Sequence, residues 1–125
     1  MYIARTSLYE PTFIANGNLL KRLYKKGKLP IKHGLYGGEL TIDNVSNEHI
    51  KPKSFGGTLD IDNIALATKE NNNKRGNADI SKYLTPEALQ QYITEILAVK
   101  TKEFDKFAYV KGLLKTINEL LNSYQ

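Results

Sequence analysis

The sequence predicts an α+β fold in one domain: a strand–loop–strand–helix core over residues 41–77, a basic helical flank over residues 1–35 and two helices over residues 83–125. Three observations predict it. Two short apolar runs, residues 40–45 and 61–67, have strand length and are separated by a loop carrying Pro52 and Gly56-Gly57. Thr68 and the tripeptide Thr85-Pro86-Glu87 are helix starts. Beyond residue 86 the apolar residues recur at helical spacing.

In order, residues 1–15 alternate loosely (Tyr2, Ile3, Leu8, Tyr9, Phe13, Ile14) around Pro11, which reads as one short strand or an irregular arm. Asn16-Gly17-Asn18 is turn chemistry, with Asn18 as the cap of a helix whose face is Leu19, Leu20, Leu23 and Tyr24. Gly27 and Pro30 end it. Residues 31–40 hold Gly34, Gly37 and Gly38 and are loop. The alternation over residues 40–44 reads as a half-buried strand, and Ile61 with residues 64–67 as a second. Thr68 then caps a helix from Lys69 that ends near Gly76. The next helix lines Leu89, Tyr92, Ile93, Ile96 and Leu97 on one face. A last helix, from near Lys102 or Asp105, places Phe107, Val110, Leu114, Ile117, Leu121 and Tyr124 at alternating intervals of three and four. That is a heptad seam shorter than three heptads, read as an amphipathic helix packing on its own domain, with a homodimer seam as the alternative.

Composition narrows the class. At 125 residues, 41% hydrophobic and 25% charged, the chain is long enough to bury a core of its own. It has no cysteine, which excludes a disulfide framework and a paired-cysteine zinc site. No apolar run approaches the ~20 residues of a membrane span. Arg5 and Glu10 interrupt the N-terminus, unlike a signal peptide. A soluble, cytoplasmic protein with no membrane partner is expected. The formal charge is +5, and the surplus is N-terminal: residues 1–35 hold seven Lys/Arg against one acid. Lys21, Arg22, Lys25, Lys26, Lys28 and Lys32 form a patch suited to a polyanion, most simply nucleic acid, or else a solvated basic face without a partner.

The chemistry-bearing residues sit in the core. Glu48 and His49 are adjacent, Asn63 follows fourteen positions on, Asn72 nine further, and Lys74-Arg75-Gly76 closes the segment. Phosphodiester hydrolysis needs an activated water, stabilisation of the phosphorane and help for the leaving oxygen. A neutral imidazole suits the first. A divalent ion suits the others, and Mg²⁺ takes hard oxygen ligands of the kind Glu48 and Asn72 offer. Adjacent residues of a strand point to opposite faces, so Glu48 and His49 serve one phosphate only if the backbone bends there or the ion and water lie on different sides of it. His33 is read as an ordinary surface or hydrogen-bonded residue.

The set Glu48-His49-Ile50-x-Pro52, Gly56-Gly57, Asp62-Asn63-Ile64 and Asn72-x-x-Arg75-Gly76-Asn77 resembles the HNH endonucleases, with spacings similar to those in the HNH domain of RNA-guided CRISPR nucleases. The resemblance covers about 37 residues. It implies a ββα-metal fold and a DNA endonuclease or nickase dependent on Mg²⁺ or Mn²⁺. His49 would be the general base. Asn63, the second catalytic residue, would pin the loop and orient the histidine. Glu48 and Asn72 would hold the metal, with Asn71 or Asn73 as stand-ins for Asn72. Products would carry 5′-phosphate and 3′-hydroxyl ends. Small free-standing proteins of this kind are frequent in phages and mobile elements, which places the expected setting in a bacterial cell. Duplex DNA would be held through Lys21, Arg22, Lys25, Lys26, Lys51, Lys53, Lys74 and Arg75. The chain departs from the family pattern in lacking the zinc-binding cysteines, so no structural zinc is expected and the flanking helices must brace the hairpin. The competing readings are a DNA-binding or nuclease-regulating module without turnover, and an RNA-cleaving enzyme.

Overall fold

Val45–His49 (β1) and Ile64–Thr68 (β2) pair antiparallel, with Val45 opposite Thr68 and His49 opposite Ile64. Among the described residues four helices stand around this two-stranded sheet, Asn18–Lys25 (α1), Lys69–Arg75 (α2), Pro86–Ala98 (α3) and Lys106–Ser123 (α4), giving an α+β architecture. The computed structural model describes residues 16–123. The arm expected over residues 1–15, and Tyr124 of the expected seam, lie outside them.

β2 is buried along its whole length although the sheet has only two strands. Its outer edge is closed by other parts of the chain. The Leu35 N–H donates to the Leu66 carbonyl at 2.9 Å. The Leu66 N–H donates to the Tyr92 hydroxyl at 3.0 Å, and the Tyr109 hydroxyl donates to the Ile64 carbonyl at 2.8 Å. The two hydroxyls lie 2.9 Å apart, so Tyr92, on α3, donates to Tyr109, on α4, and a relay runs from one backbone group of β2 back to another. Burial raises the pKa of both phenols, Tyr92 to about 12, which keeps them protonated as the relay requires. Two helices thus brace the hairpin by hydrogen bonds to its open edge. Tyr109→Phe leaves the Ile64 carbonyl and the Tyr92 proton buried and unmatched, and is expected to lower unfolding free energy by about 1–3 kcal/mol in urea titrations. A variant as stable as the parent would mean that the relay contributes nothing net.

The same core takes Leu19, Leu20 and Leu23 from α1, Leu29, Ile31, Leu35 and Leu40 from the loop after it, and Tyr92, Ile96, Tyr109, Leu113 and Ile117 from α3 and α4. Gly34 lies flat on β2: a Cβ there would stand 2.9 Å from the Ala67 Cα, so only glycine lets the loop approach this closely.

Several expected boundaries move. The strand expected over residues 40–44 is a turn, and β1 begins at Val45. Thr41 and Asn44 bond each other's backbone: the Thr41 N–H donates to Asn44 Oδ1 at 2.8 Å and the Asn44 N–H to Thr41 Oγ1 at 3.2 Å. Such local bonds compete with a ladder, and Ile42 is left 61% exposed. Asn18 is the first residue of α1 rather than its cap; its N–H is taken by Asn16 Oδ1. On α4 the buried face is Tyr109, Val110, Leu113 and Ile117, and Phe107, assigned to the heptad seam, is 68% exposed. Thr68 caps α2 and Thr85 caps α3, each hydroxyl accepting an N–H three residues on, as expected. Among the described residues no helix is long and apolar enough to cross a membrane.

Candidate active site

Alternation along β1 sorts the predicted residues onto two faces. Ser46 and Glu48 point toward α2, where Asn72 donates its Nδ2 to Ser46 Oγ at 3.0 Å and to the Asn47 carbonyl at 3.1 Å. Asn47 and His49 share the opposite face. Asn47 Nδ2 donates to Asn18 Oδ1 at 2.9 Å, so the start of the basic helix α1 lies on the His49 side of the hairpin.

His49 ends β1 half-buried. Burial first, and the charge of Lys53 second, lower its pKa below the ordinary 6.5, so the ring is neutral at neutral pH and able to accept a proton. The loop that follows is held by Asn63, itself buried. Asn63 Oδ1 accepts from the Lys51 N–H at 2.8 Å, and its Nδ2 donates to the Lys51 carbonyl at 3.1 Å and to the Thr58 carbonyl at 2.9 Å. The Asn63 carbonyl also accepts from the Ile50 N–H at 2.9 Å, one residue after His49. Both ends of the Asn63 amide are on loop backbone, so Asn63 pins the loop that follows β1.

Glu48 lies at the centre of a buried cluster. Its Oε2 accepts from the Tyr36 hydroxyl and, at 3.4 Å, from Arg75 Nη1. Arg75 Nη1 also donates to the His49 carbonyl at 2.9 Å, and its Nε to the Ala78 carbonyl at 2.7 Å. Glu48 and Arg75 are 2% and 1% exposed. Desolvation pushes the Glu48 carboxyl up, and Tyr36 and Arg75 pull it back toward ionisation. The cluster therefore joins the glycine-rich loop, the end of β1 and the end of α2 beneath the His49 backbone.

Two expectations change here. Arg75, expected to contact phosphate, has its guanidinium inside the protein, where it pairs with Glu48 and two carbonyls. Its place at the inward-facing end of α2 was invisible in an Asn-rich, outwardly polar stretch. Glu48, expected to hold a metal with Asn72, lies on the same face as Asn72. Its carboxylate, however, is closed off from solvent and engaged by a hydroxyl and a cation. A divalent ion that keeps several waters needs an open carboxylate, so the pair does not fit a metal in this arrangement. Asn72 keeps a carbonyl oxygen free of its amide bonds, as does Asn71, whose Nδ2 donates to the Gly37 carbonyl at 3.2 Å; Asn73 is exposed. Among the described residues no three His, Asp or Glu side chains gather as a metal-holding group.

Of the remaining expected phosphate contacts, Arg22, Lys25, Lys26, Lys51, Lys53 and Lys74 are exposed and Lys21 is half-buried. Tyr36 was missed because no spacing rule links a loop tyrosine to an acid twelve positions on. His33 is hydrogen-bonded as expected: its Nδ1 meets Glu95 Oε2 at 2.7 Å, and Glu95 Oε1 accepts the backbone N–H groups of Lys32 and His33, tying the loop to α3. Comparison with family models, with curated proteins and with solved structures returns no match to this chain.

Proposed function

We propose that the protein is a phosphodiester hydrolase acting on duplex DNA, of the HNH type that its residue pattern resembles, with the hairpin and α2 as a ββα core. The observation that carries this reading is Asn63. An asparagine fourteen residues beyond a histidine, the spacing of the pattern the chain resembles, commits its whole amide to the backbone of the loop next to that histidine.

In the proposed reaction neutral His49 takes a proton from water as the oxygen attacks phosphorus. The bond from phosphorus to the 3′ oxygen breaks, the 3′ oxygen is protonated from solvent, and the ends are 5′-phosphate and 3′-hydroxyl. Lys51 and Lys53 on the adjoining loop, and the α1 cations on the same side of the hairpin, hold the backbone phosphates. Glu48 stays outside the chemistry and keeps the His49 backbone in place through Arg75. The test is supercoiled plasmid incubated with Mg²⁺, with Mn²⁺ and with chelator, beside His49→Ala. Nicking that requires His49 supports the hydrolase, and the chelator arm decides the metal requirement. A second reading, a DNA-binding module without turnover, is favoured by the sealed Glu48; binding without nicking under either ion would establish it.

Both readings make α1 an electrostatic contact. Replacing Arg22, Lys25 and Lys26 with alanine is expected to weaken binding for all sequences alike. The slope of log K against log salt should become shallower by about 2 to 3, near 0.9 for each phosphate that is no longer neutralised. An unchanged slope would take α1 out of the interface.

A further inference from the structure

The loop after β1 displays an aromatic ring that the reaction above does not use. Phe55 closes the 3₁₀ turn Lys53–Phe55 and is 55% exposed, in a stretch that also exposes Lys51, Lys53 and Leu59. A large apolar side chain on a floppy loop would fold back onto the protein. This loop cannot let it do so. Pro52 is buried, and its carbonyl accepts from both the Phe55 and Gly57 N–H groups at 2.9 Å. Gly57 packs so tightly under Lys51 that a Cβ would lie 1.7 Å from the Lys51 carbonyl oxygen. Asn63 clamps Lys51 and Thr58, and Asn77 Nδ2 reaches Ser54 Oγ at 3.4 Å. The backbone that carries the ring is therefore held in place before any partner arrives.

What covers such a ring is set by its surroundings. Lys51 and Lys53 precede it by four and two residues, and both are exposed. A purely apolar partner would leave those ammonium groups unmatched. A nucleobase offers a π face beside a phosphate, which matches a ring that follows two exposed lysines. Asp60 Oδ2 accepts from the Thr58 hydroxyl at 3.0 Å, and Glu119 lines a cleft together with Lys51.

We propose that Phe55 is a wedge that stacks on a nucleobase of duplex DNA next to the phosphate faced by His49, opening the base step there while Lys51 and Lys53 grip the flanking phosphates. The inference rests on the DNA reading above and deepens it, because it predicts that distorted or easily unstacked steps are the preferred substrate.

The chain contains no tryptophan, so Phe55→Trp introduces a single fluorescent reporter at this position. Titration of that full-length variant with a short duplex should quench its emission, while Phe107→Trp, on α4, should stay unquenched. Phe55→Ala should weaken duplex binding about 5- to 100-fold with an unchanged melting temperature. Its salt slope should also be unchanged, since no charge is removed; Lys51→Ala with Lys53→Ala should instead flatten the slope. An unquenched reporter, quenching by single strands alone, or Phe55→Ala binding as tightly as the parent would overturn the wedge even if the parent nicks plasmid. Loss of affinity and quenching in a protein that nicks nothing would support the wedge and remove only the hydrolase.

Discussion

Glu48→Ala is expected to lower unfolding free energy by about 3–5 kcal/mol, measured by urea titration in the presence of chelator. The size follows from what remains: the Arg75 guanidinium, 1% exposed, stays inside the protein without its carboxylate. Removing one partner of a buried pair strands the other charge, which costs more than the pair was worth. Arg75→Met should do comparable damage by a second route, because the His49 and Ala78 carbonyls also lose their donor. The two effects should not add. Glu48→Leu combined with Arg75→Met leaves no stranded charge, so the double variant should be distinctly more stable than the sum of the singles predicts, though still below the parent because the two carbonyls remain unmatched. Tyr36→Phe should cost less than either single change, since one neutral donor is removed. The opposite result is equally clear. If Glu48→Ala unfolds like the parent in chelator but loses a stabilisation by Mg²⁺ or Mn²⁺ that the parent shows, Glu48 is a metal ligand, and the cluster with Tyr36 and Arg75 is only its resting arrangement.

How far the sequence spoke for itself differs between local and long-range features. Thr68 and Thr85 were readable as caps because capping joins residues three apart, and the structure puts both hydroxyls on the N–H groups expected. The order strand, loop, strand, helix was readable for the same reason. The start of β1 was not: residues 40–44 alternate like a strand, and only the reciprocal Thr41–Asn44 bonds reveal a turn. On α4 the expected Val110, Leu114, Ile117 and Leu121 do pack on the core, but Phe107 does not, and Tyr109 and Leu113 are buried instead, Tyr109 through the relay with Tyr92 onto β2. At the candidate site, Asn63 is buried beside the loop it was expected to pin. Arg75 was assigned to the surface because an Asn-Asn-Asn-Lys-Arg run reads as solvated, and its burial follows from a partner 27 positions earlier. Pairing at that separation leaves no periodic trace in a single sequence.

His49→Ala is expected to slow plasmid nicking by about 10²- to 10⁴-fold, the usual contribution of a positioned general base, while leaving the affinity for DNA nearly unchanged. The pH dependence should separate this role from a merely structural one. Burial and the positive charge of Lys53 both disfavour the imidazolium, so the pKa of His49 lies below 6.5. Its neutral form is the base. Turnover should therefore rise with pH through that lowered value and be flat through neutrality, and the acid limb should lie below 6.5 rather than above it. Lys53→Glu replaces a repelling charge with an attracting one, which stabilises the imidazolium and moves the limb to higher pH. Because Lys53 also grips phosphate in this reading, the comparison belongs at saturating DNA, where kcat isolates the titration and weaker binding appears only in KM. A limb that stays in place in Lys53→Glu, or that survives in the residual activity of His49→Ala, would assign the proton transfer to another group.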